Sequence, residues 1–92
     1  MILETSLPPS PSETERYNVA FGKVLRAFRR ERRLSQEALA FDSGLDRTYV
    51  SLLERGTKSP TLNTMVVLCF ALNLPLSSLA SHIDEMVMGE NI

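Results

Sequence analysis

The sequence has one cysteine, one histidine and no tryptophan among its 92 residues. A single cysteine cannot form a disulfide within the chain, and the absence of a Cys/His cluster argues against a zinc site. No run of eighteen apolar residues is present, so there is no candidate membrane span. The short apolar start at residues 1–3 carries no basic region, which disfavours a secretory signal. We therefore expect a cytoplasmic chain without a metal or a cofactor.

The sequence also lacks an alternating strand pattern and a long repeat, and its apolar periodicity is helical. A hydrophobic fraction of 43% is enough for one small core. Residues 1–15 combine prolines with Ser, Thr and Glu, and we interpret them as a flexible tail without Lys or Arg. The remaining residues, 16–92, are predicted to form one all-α, five-helix domain.

The net charge of −1 hides a polarised distribution. All ten Lys and Arg residues lie between Arg16 and Lys58, and that window has a net charge of +5. Each flank, residues 1–15 and residues 59–92, has a net charge of −3. Because local charge decides whether a surface attracts phosphate, the acidic isoelectric point does not exclude a nucleic-acid partner.

The most specific pattern is the spacing of four residues, Ala40, Gly44, Val50 and Leu53. A small residue at 40 lets two helices approach closely, and Gly44 can take the positive φ that ends a helix. Val50 and Leu53, three apart, form the inward stripe of the next helix. The spacing predicts a helix-turn-helix over about 35–56, whose second helix is shaped to enter the major groove of DNA.

Capping and breaking residues predict where each helix begins and ends. The first is expected from about Asn18 to Arg33. Ser35 and Asp46 are the predicted N-caps of the second and third helices, which end near Ser43 and Gly56. Helices four and five are expected over about 61–88, with Thr61 as an N-cap and a break at Pro75.

The chain resembles the lambda-repressor/Cro-type (XRE-like) helix-turn-helix family over about residues 19–83. The resemblance rests on the motifs Phe21-Gly-Lys-Val-Leu-Arg, Leu34-Ser-Gln-Glu-x-Leu-Ala, Leu45-Asp-Arg-Thr-Tyr-Val-Ser, Glu54-Arg-Gly and Ser59-Pro-Thr-Leu. The third motif is also similar to that of short stand-alone regulators, including restriction–modification controller proteins. The resemblance implies a five-helix bundle that binds a palindromic operator in double-stranded DNA as a homodimer.

Helical geometry selects the residues that would contact bases. With Val50 and Leu53 inward, Thr48, Ser51 and Leu52 lie on the opposite side of the third helix. Arg47 is on the flank, in the first turn, and an arginine can donate two hydrogen bonds to guanine. The resemblance implies the same base-reading set: Arg47, Thr48, Ser51 and Leu52. For Leu52, contact with thymine methyl groups and packing on Tyr49 are equally open.

A second set is predicted to contact the DNA backbone. Gln36 begins the second helix, where its backbone N–H is free to meet a phosphate, and the family uses this Gln to brace the third helix. The full set is Ser35, Gln36, Tyr49, Arg55, Thr57 and Lys58. Four further arginines near the end of helix one either complement its dipole or contact the backbone: Arg26, Arg30, Arg32 and Arg33.

The resemblance implies a structural ion pair between Arg29 and Glu54 that joins helices one and three. The family pattern also assigns Leu62, Met65, Leu68, Ala71 and Leu72 to the core. It leaves an apolar strip on the outer side of helix four and an excess of apolar residues on helix five. We predict a dimer interface of Val67, Phe70, Leu74, Leu79, Ile83 and Met86; the alternative is that these residues cover a loose core.

Two other functions compete with DNA regulation. An enzyme is not expected, because the single His lies far along a small helical chain. The stronger rival is a protein-interaction module, such as an antitoxin that neutralises a partner protein and binds its own promoter secondarily. No small-molecule effector domain is expected.

Overall fold

The computed structural model describes residues 7–89, which form five helices and no strand. The predicted all-α, five-helix fold is confirmed. The helices are α1 (Pro11–Glu31), α2 (Gln36–Ser43), α3 (Arg47–Glu54), α4 (Leu62–Leu72) and α5 (Leu76–Gly89). Four of the five bounds lie within one or two residues of the predicted ones, while α1 does not.

Helix α1 begins at Pro11, seven residues before the predicted start, so residues 11–15 of the predicted flexible tail are helical. Ser10 accepts a hydrogen bond from the Glu13 backbone N–H at 3.2 Å, and the Ser10 backbone N–H donates to the Glu13 carboxylate at 3.1 Å. This capping box, with proline at the first helical position, starts a helix efficiently. Residues 1–6 of the predicted tail lie outside the described residues.

Most of the other helix ends follow local sequence signals. Asp46 occupies the predicted N-cap position of α3, but its side chain makes no capping hydrogen bond. The side chains of Ser35 and Thr61 accept backbone N–H bonds at the starts of α2 and α4. Gly44 ends α2 with φ of 71°, where a side chain would be strained. The residues that follow α1 and α4, Arg33 and Asn73, take the same left-handed conformation at φ of 58° and 54°.

The core is an apolar cluster to which all five helices contribute. Its largest fully buried side chains are Leu25, Leu39, Val50, Leu53, Leu68, Leu72 and Leu79. Two sequence predictions are wrong here. Leu62, predicted in the core, is 62% exposed, and Leu79, predicted in a dimer interface, is 1% exposed. Cys69, predicted as a small core residue, is buried at 5% exposure, and Thr64 is also buried although the sequence pattern did not assign it to the core.

Helix α1 lies against both α3 and α5, while α2 packs on α3 and α4. The approach of α3 to α1 is unusually close at Gly22, because a Cβ atom built there would lie 2.5 Å from the Leu53 carbonyl oxygen. Gly22 is therefore required by contact between two backbones. This contact fixes the position of α3 on the domain.

Within residues 7–89 no single helix is long and apolar enough to cross a membrane. Helices α4 and α5 meet those criteria only when taken together, and they are bent by 107° at the break between them.

Candidate nucleic-acid interface

The α2–turn–α3 unit is built as its spacing predicts. Ala40 is 3% exposed, and its carbonyl accepts the Leu45 N–H at 2.8 Å across the turn. Val50 and Leu53 are fully buried. Anchored from its inner side, α3 presents its opposite side to solvent.

The predicted base-reading residues lie on or beside this outward side. Arg47 and Thr48 are exposed, and Ser51 and Leu52 are half-buried. The polar side chains of Arg47, Thr48 and Ser51 make no hydrogen bond or ion pair with residues 7–89, so their donors are available to a ligand.

The start of α2 supplies further donors beside α3. The Ser35 hydroxyl accepts the Ala38 N–H at 3.0 Å and keeps its own proton available. The backbone N–H groups of Gln36 and Glu37 find no acceptor in the described part of the chain. Unpaired N–H groups and the helix dipole together favour an anion at this end.

An ionic network joins α1, the start of α2 and the end of α3. Arg29 donates two hydrogen bonds to the Glu54 carboxylate, from Nε at 2.6 Å and from Nη2 at 3.0 Å. Its Nη1 donates to the Leu34 carbonyl at 2.7 Å. Gln36 Nε2 donates to Glu54 Oε1 at 3.0 Å. Hydrogen bonds to Glu54 raise the pKa of the Arg29 guanidinium above its usual value, so Arg29 stays charged.

Because Gln36 is tied to Glu54, the end of α3 fixes the start of α2. A polar cleft of about 460 Å³ opens at this junction, lined by Arg29, Ser35, Gln36, Glu37 and Arg47. The fold thus brings the two predicted backbone contacts of α2 next to a predicted base-reading residue. Besides the exposed Glu37 carboxylate, the cleft offers hydrogen-bond donors and the unpaired positive charge of Arg47, which suit a phosphate-bearing ligand.

The remaining predicted backbone contacts differ in availability. Tyr49 is half-buried against the core, and its hydroxyl has no partner among the described residues. Arg55 and Lys58 are exposed and also unpaired within residues 7–89. Thr57 is less suited, because its N–H and its hydroxyl both bond the Leu52 carbonyl, at 3.2 and 3.1 Å. Both Thr57 donors therefore serve to end α3.

The predicted dimer surface is only partly available. Phe70 is 82% exposed, and Val67 and Leu74 are half-buried. Leu79 lies in the core, while Ile83 and Met86 pack against it, because these α5 residues face α1 and α4. Two residues outside the predicted set, Val66 and Leu76, join Phe70 and Leu74 along an apolar groove of about 380 Å³. Val66 and Phe70 are four residues apart and therefore share one side of α4, which is the pattern in the sequence that indicates this part of the surface.

Comparison with known proteins agrees with this architecture. The model of the family described as "Helix-turn-helix" matches residues 25–79, more than half of the chain. The chain belongs to this family, of the lambda-repressor/Cro (XRE) type.

Restriction–modification controller proteins are prominent among its relatives. The control protein C.SmaI of Serratia marcescens is 44% identical over 58 residues, which are 63% of this chain and 69% of the relative. The crystal structure of the controller protein C.AhdI from Aeromonas hydrophila has a TM-score of 0.66 at 45% identity, covering 67% of this chain and 94% of that one. The C.Esp1396I tetramer, solved with its natural 35 base-pair operator, has a TM-score of 0.72 at 25% identity, covering 78% and 95%.

Proposed function

We propose that this chain is a sequence-specific transcriptional regulator that binds a palindromic operator as a homodimer, with α3 in the major groove. The observation that carries the proposal is the outward side of α3. Arg47, Thr48 and Ser51 have unused donors there, and Arg47 shares a cleft with the unpaired backbone N–H groups at the start of α2.

The chemistry of each side chain indicates whether it would contact a base or a phosphate. Arg47 is suited to a guanine, whose O6 and N7 both accept hydrogen bonds, and the Thr48 methyl is suited to thymine. Ser51 and Leu52 lie one turn further along α3 and would contact the next bases. Ser35, Gln36, Tyr49, Arg55 and Lys58 would donate to phosphates, which set the register of the protein on the duplex without selecting sequence.

A homodimer supplies the symmetry of a palindromic operator. Two copies related by a twofold axis would present their α3 helices about 34 Å apart, the separation of half-sites one helical turn apart. The exposed Phe70 and the groove beside it support the α4 face, with the start of α5, as the contact between copies. Phe70 of each copy would enter the groove of the other.

The controller-protein relatives favour this function over an antitoxin, because C.SmaI and C.AhdI are control proteins and C.Esp1396I is seen in complex with its operator. We extend the regulatory role to this chain and place it in the cytoplasm, without catalytic activity of its own.

Selection of bound sequences from a random duplex pool tests the function. The expected result is enrichment of a motif with twofold symmetry at moderate salt. Recovery of sequences indistinguishable from the starting pool would contradict the proposal. A variant with Arg47→Ala and Thr48→Ala, whose side chains contribute no hydrogen bond to the fold, is the matched control and should lose the enrichment.

A further inference from the structure

Helix α1 carries a basic stripe that the proposed interface does not use. Val19, Lys23, Arg26 and Arg30 recur three or four residues apart, so they share one side of the helix, and all four are exposed. Neither Arg26 nor Arg30 makes a hydrogen bond or an ion pair through its side chain within residues 7–89. Two unpaired guanidinium groups therefore project from this side of the helix.

The stripe passes close to the C-terminal end of α3. At Gly22 the backbone of α1 touches the end of α3. Seven residues later, about two helical turns along the same side, Arg29 forms its ion pair with Glu54. Residues 22 and 29 mark the line where α3 rests on α1, and the helical period of 100° per residue places Arg26 and Arg30 about 40–80° away from it. Gly56, in the turn after α3, lies against Val19 at the beginning of the stripe.

The stripe also faces away from the core. Phe21 and Leu25, buried at 2% and 0% exposure, lie on the other side of the line set by residues 22 and 29. Since Val50 and Leu53 turn the inner side of α3 toward that same core, the outer side of α3 and the stripe both face away from it.

Within residues 19–30 the charge on this side of α1 has one sign. Between residues 19 and 30 the helix contains no acidic residue, and Glu31 belongs to another side, where it lines a groove with Phe28 and His82. A helix inserted in the major groove, which is about 8.5 Å deep, has phosphate backbones rising on both of its flanks. An arginine on a neighbouring helix is long enough to meet such a backbone.

We propose that Arg26 and Arg30, aided by the charge of Lys23, form a second phosphate-contacting surface that binds the DNA backbone beside the half-site occupied by α3. The inference rests on the proposed function and deepens it. The surface adds affinity that depends on salt and is insensitive to sequence, because phosphates are the same at every base pair.

The test compares two variants with the same change in net charge. Arg26→Gln with Arg30→Gln removes two positive charges from the stripe. Ser77→Glu with Ser81→Glu adds two negative charges at exposed positions of α5, on the far side of α1 from α3. Binding of each to the selected operator duplex is measured as a function of salt, and sedimentation verifies that each keeps the oligomeric state of the parent.

The stripe variant is expected to bind more weakly and to lose salt dependence. Each phosphate contact contributes about 0.9 to the slope of log K against log salt, so a dimer that loses four contacts should have a slope lower by about 3 to 4. The selected sequence motif should not change, and the α5 variant should keep the parental slope. Equal slopes for the two variants would overturn the inference while leaving the proposed function intact. Failure of the parent protein to prefer its selected operator would instead refute the function.

Discussion

The guanidinium of Arg29 and the carboxylate of Glu54 form a two-bond ion pair, at 2.6 and 3.0 Å, between the first and third helices. Their side chains are 10% and 3% exposed, so the pair is largely removed from solvent. Glu54 also accepts a hydrogen bond from Gln36, which links the pair to the start of α2. Three helices therefore meet at one carboxylate behind the proposed DNA-binding side.

Glu54→Ala should cost stability before it affects DNA binding directly. Removing one partner leaves the Arg29 charge buried without its counterion, at a cost on the order of 3 kcal/mol. Thermal unfolding followed by circular dichroism should show a Tm lower by roughly 4–8 °C for each kcal/mol lost. The matched control is Glu37→Ala, whose side chain is exposed and unpaired within the described residues. A Tm for Glu54→Ala equal to that of the parent would show that the Arg29–Glu54 pair does not stabilise the fold.

Gly22→Ala should destabilise the fold more than Gly44→Ala does. The new methyl group at 22 would press on the Leu53 and Glu54 carbonyl oxygens, at 2.5 and 2.6 Å, and overpacking of this kind costs about 1–3 kcal/mol. Gly44 has open space around its would-be Cβ, so alanine there meets only the strain of a left-handed backbone, about 1 kcal/mol. Urea unfolding of both variants measures the difference. The reverse order of stabilities would show that α3 does not rest on α1 at Gly22.

Acid should loosen the start of α1 through Glu13. Hydrogen bonds with Ser10 lower the pKa of the Glu13 carboxyl in the folded chain. Because the pKa of Glu13 is lower in the folded chain than in the unfolded chain, ionised Glu13 stabilises the fold. This stabilisation is complete above the pKa of the unfolded chain, about 4.3, and is lost as the pH falls through the pKa of the folded chain. NMR spectra of the Ser10 amide over pH 2–7 should report this loss. Glu13→Gln keeps the capping geometry without a titrating group, so its Ser10 amide signal should not change over this pH range. If the Ser10 amide titrates identically in both proteins, the change is due to a group other than Glu13.

Phe70→Lys should give a monomer if the α4 face joins two copies. A lysine in place of the exposed ring adds a charge to the apolar groove without disturbing the core, since Phe70 is 82% exposed. Sedimentation equilibrium should show half the parental mass. Phe41→Lys, at an 86% exposed position on α2, is the control and should leave the mass unchanged. An unchanged mass for Phe70→Lys would reject this surface as the contact between copies.

Local signals made most of the fold predictable from sequence. Ser35, Gly44 and Thr61 act on their own helix ends, so their roles are visible in a few neighbouring residues. The start of α1 was missed because the prolines at 8, 9 and 11 indicated a tail. In fact Pro11 occupies the first helical position, where its missing N–H costs nothing.

The errors fall where tertiary packing decides the outcome. Leu79 and Leu62 are both leucines on apolar helices, yet one is fully buried and the other exposed, because the packing of each helix on its neighbours decides which side meets the core. The need for Gly22 depends on a contact with residues about thirty positions away. The bracing of α3 by Gln36 was implied by family resemblance, and the structure adds its partner, Glu54.

Base reading by α3 is tested by the ratio of affinities for the selected operator and a scrambled duplex, determined for the parent and for Arg47→Ala at one salt concentration. If α3 reads bases through Arg47, the parent should prefer the operator strongly, and the variant should lose about 5- to 150-fold of that preference, corresponding to about 1–3 kcal/mol for one bidentate pair. Its affinity for the scrambled duplex should change far less. A parent that binds both duplexes equally, or a variant that keeps the full ratio, would contradict base reading by this helix.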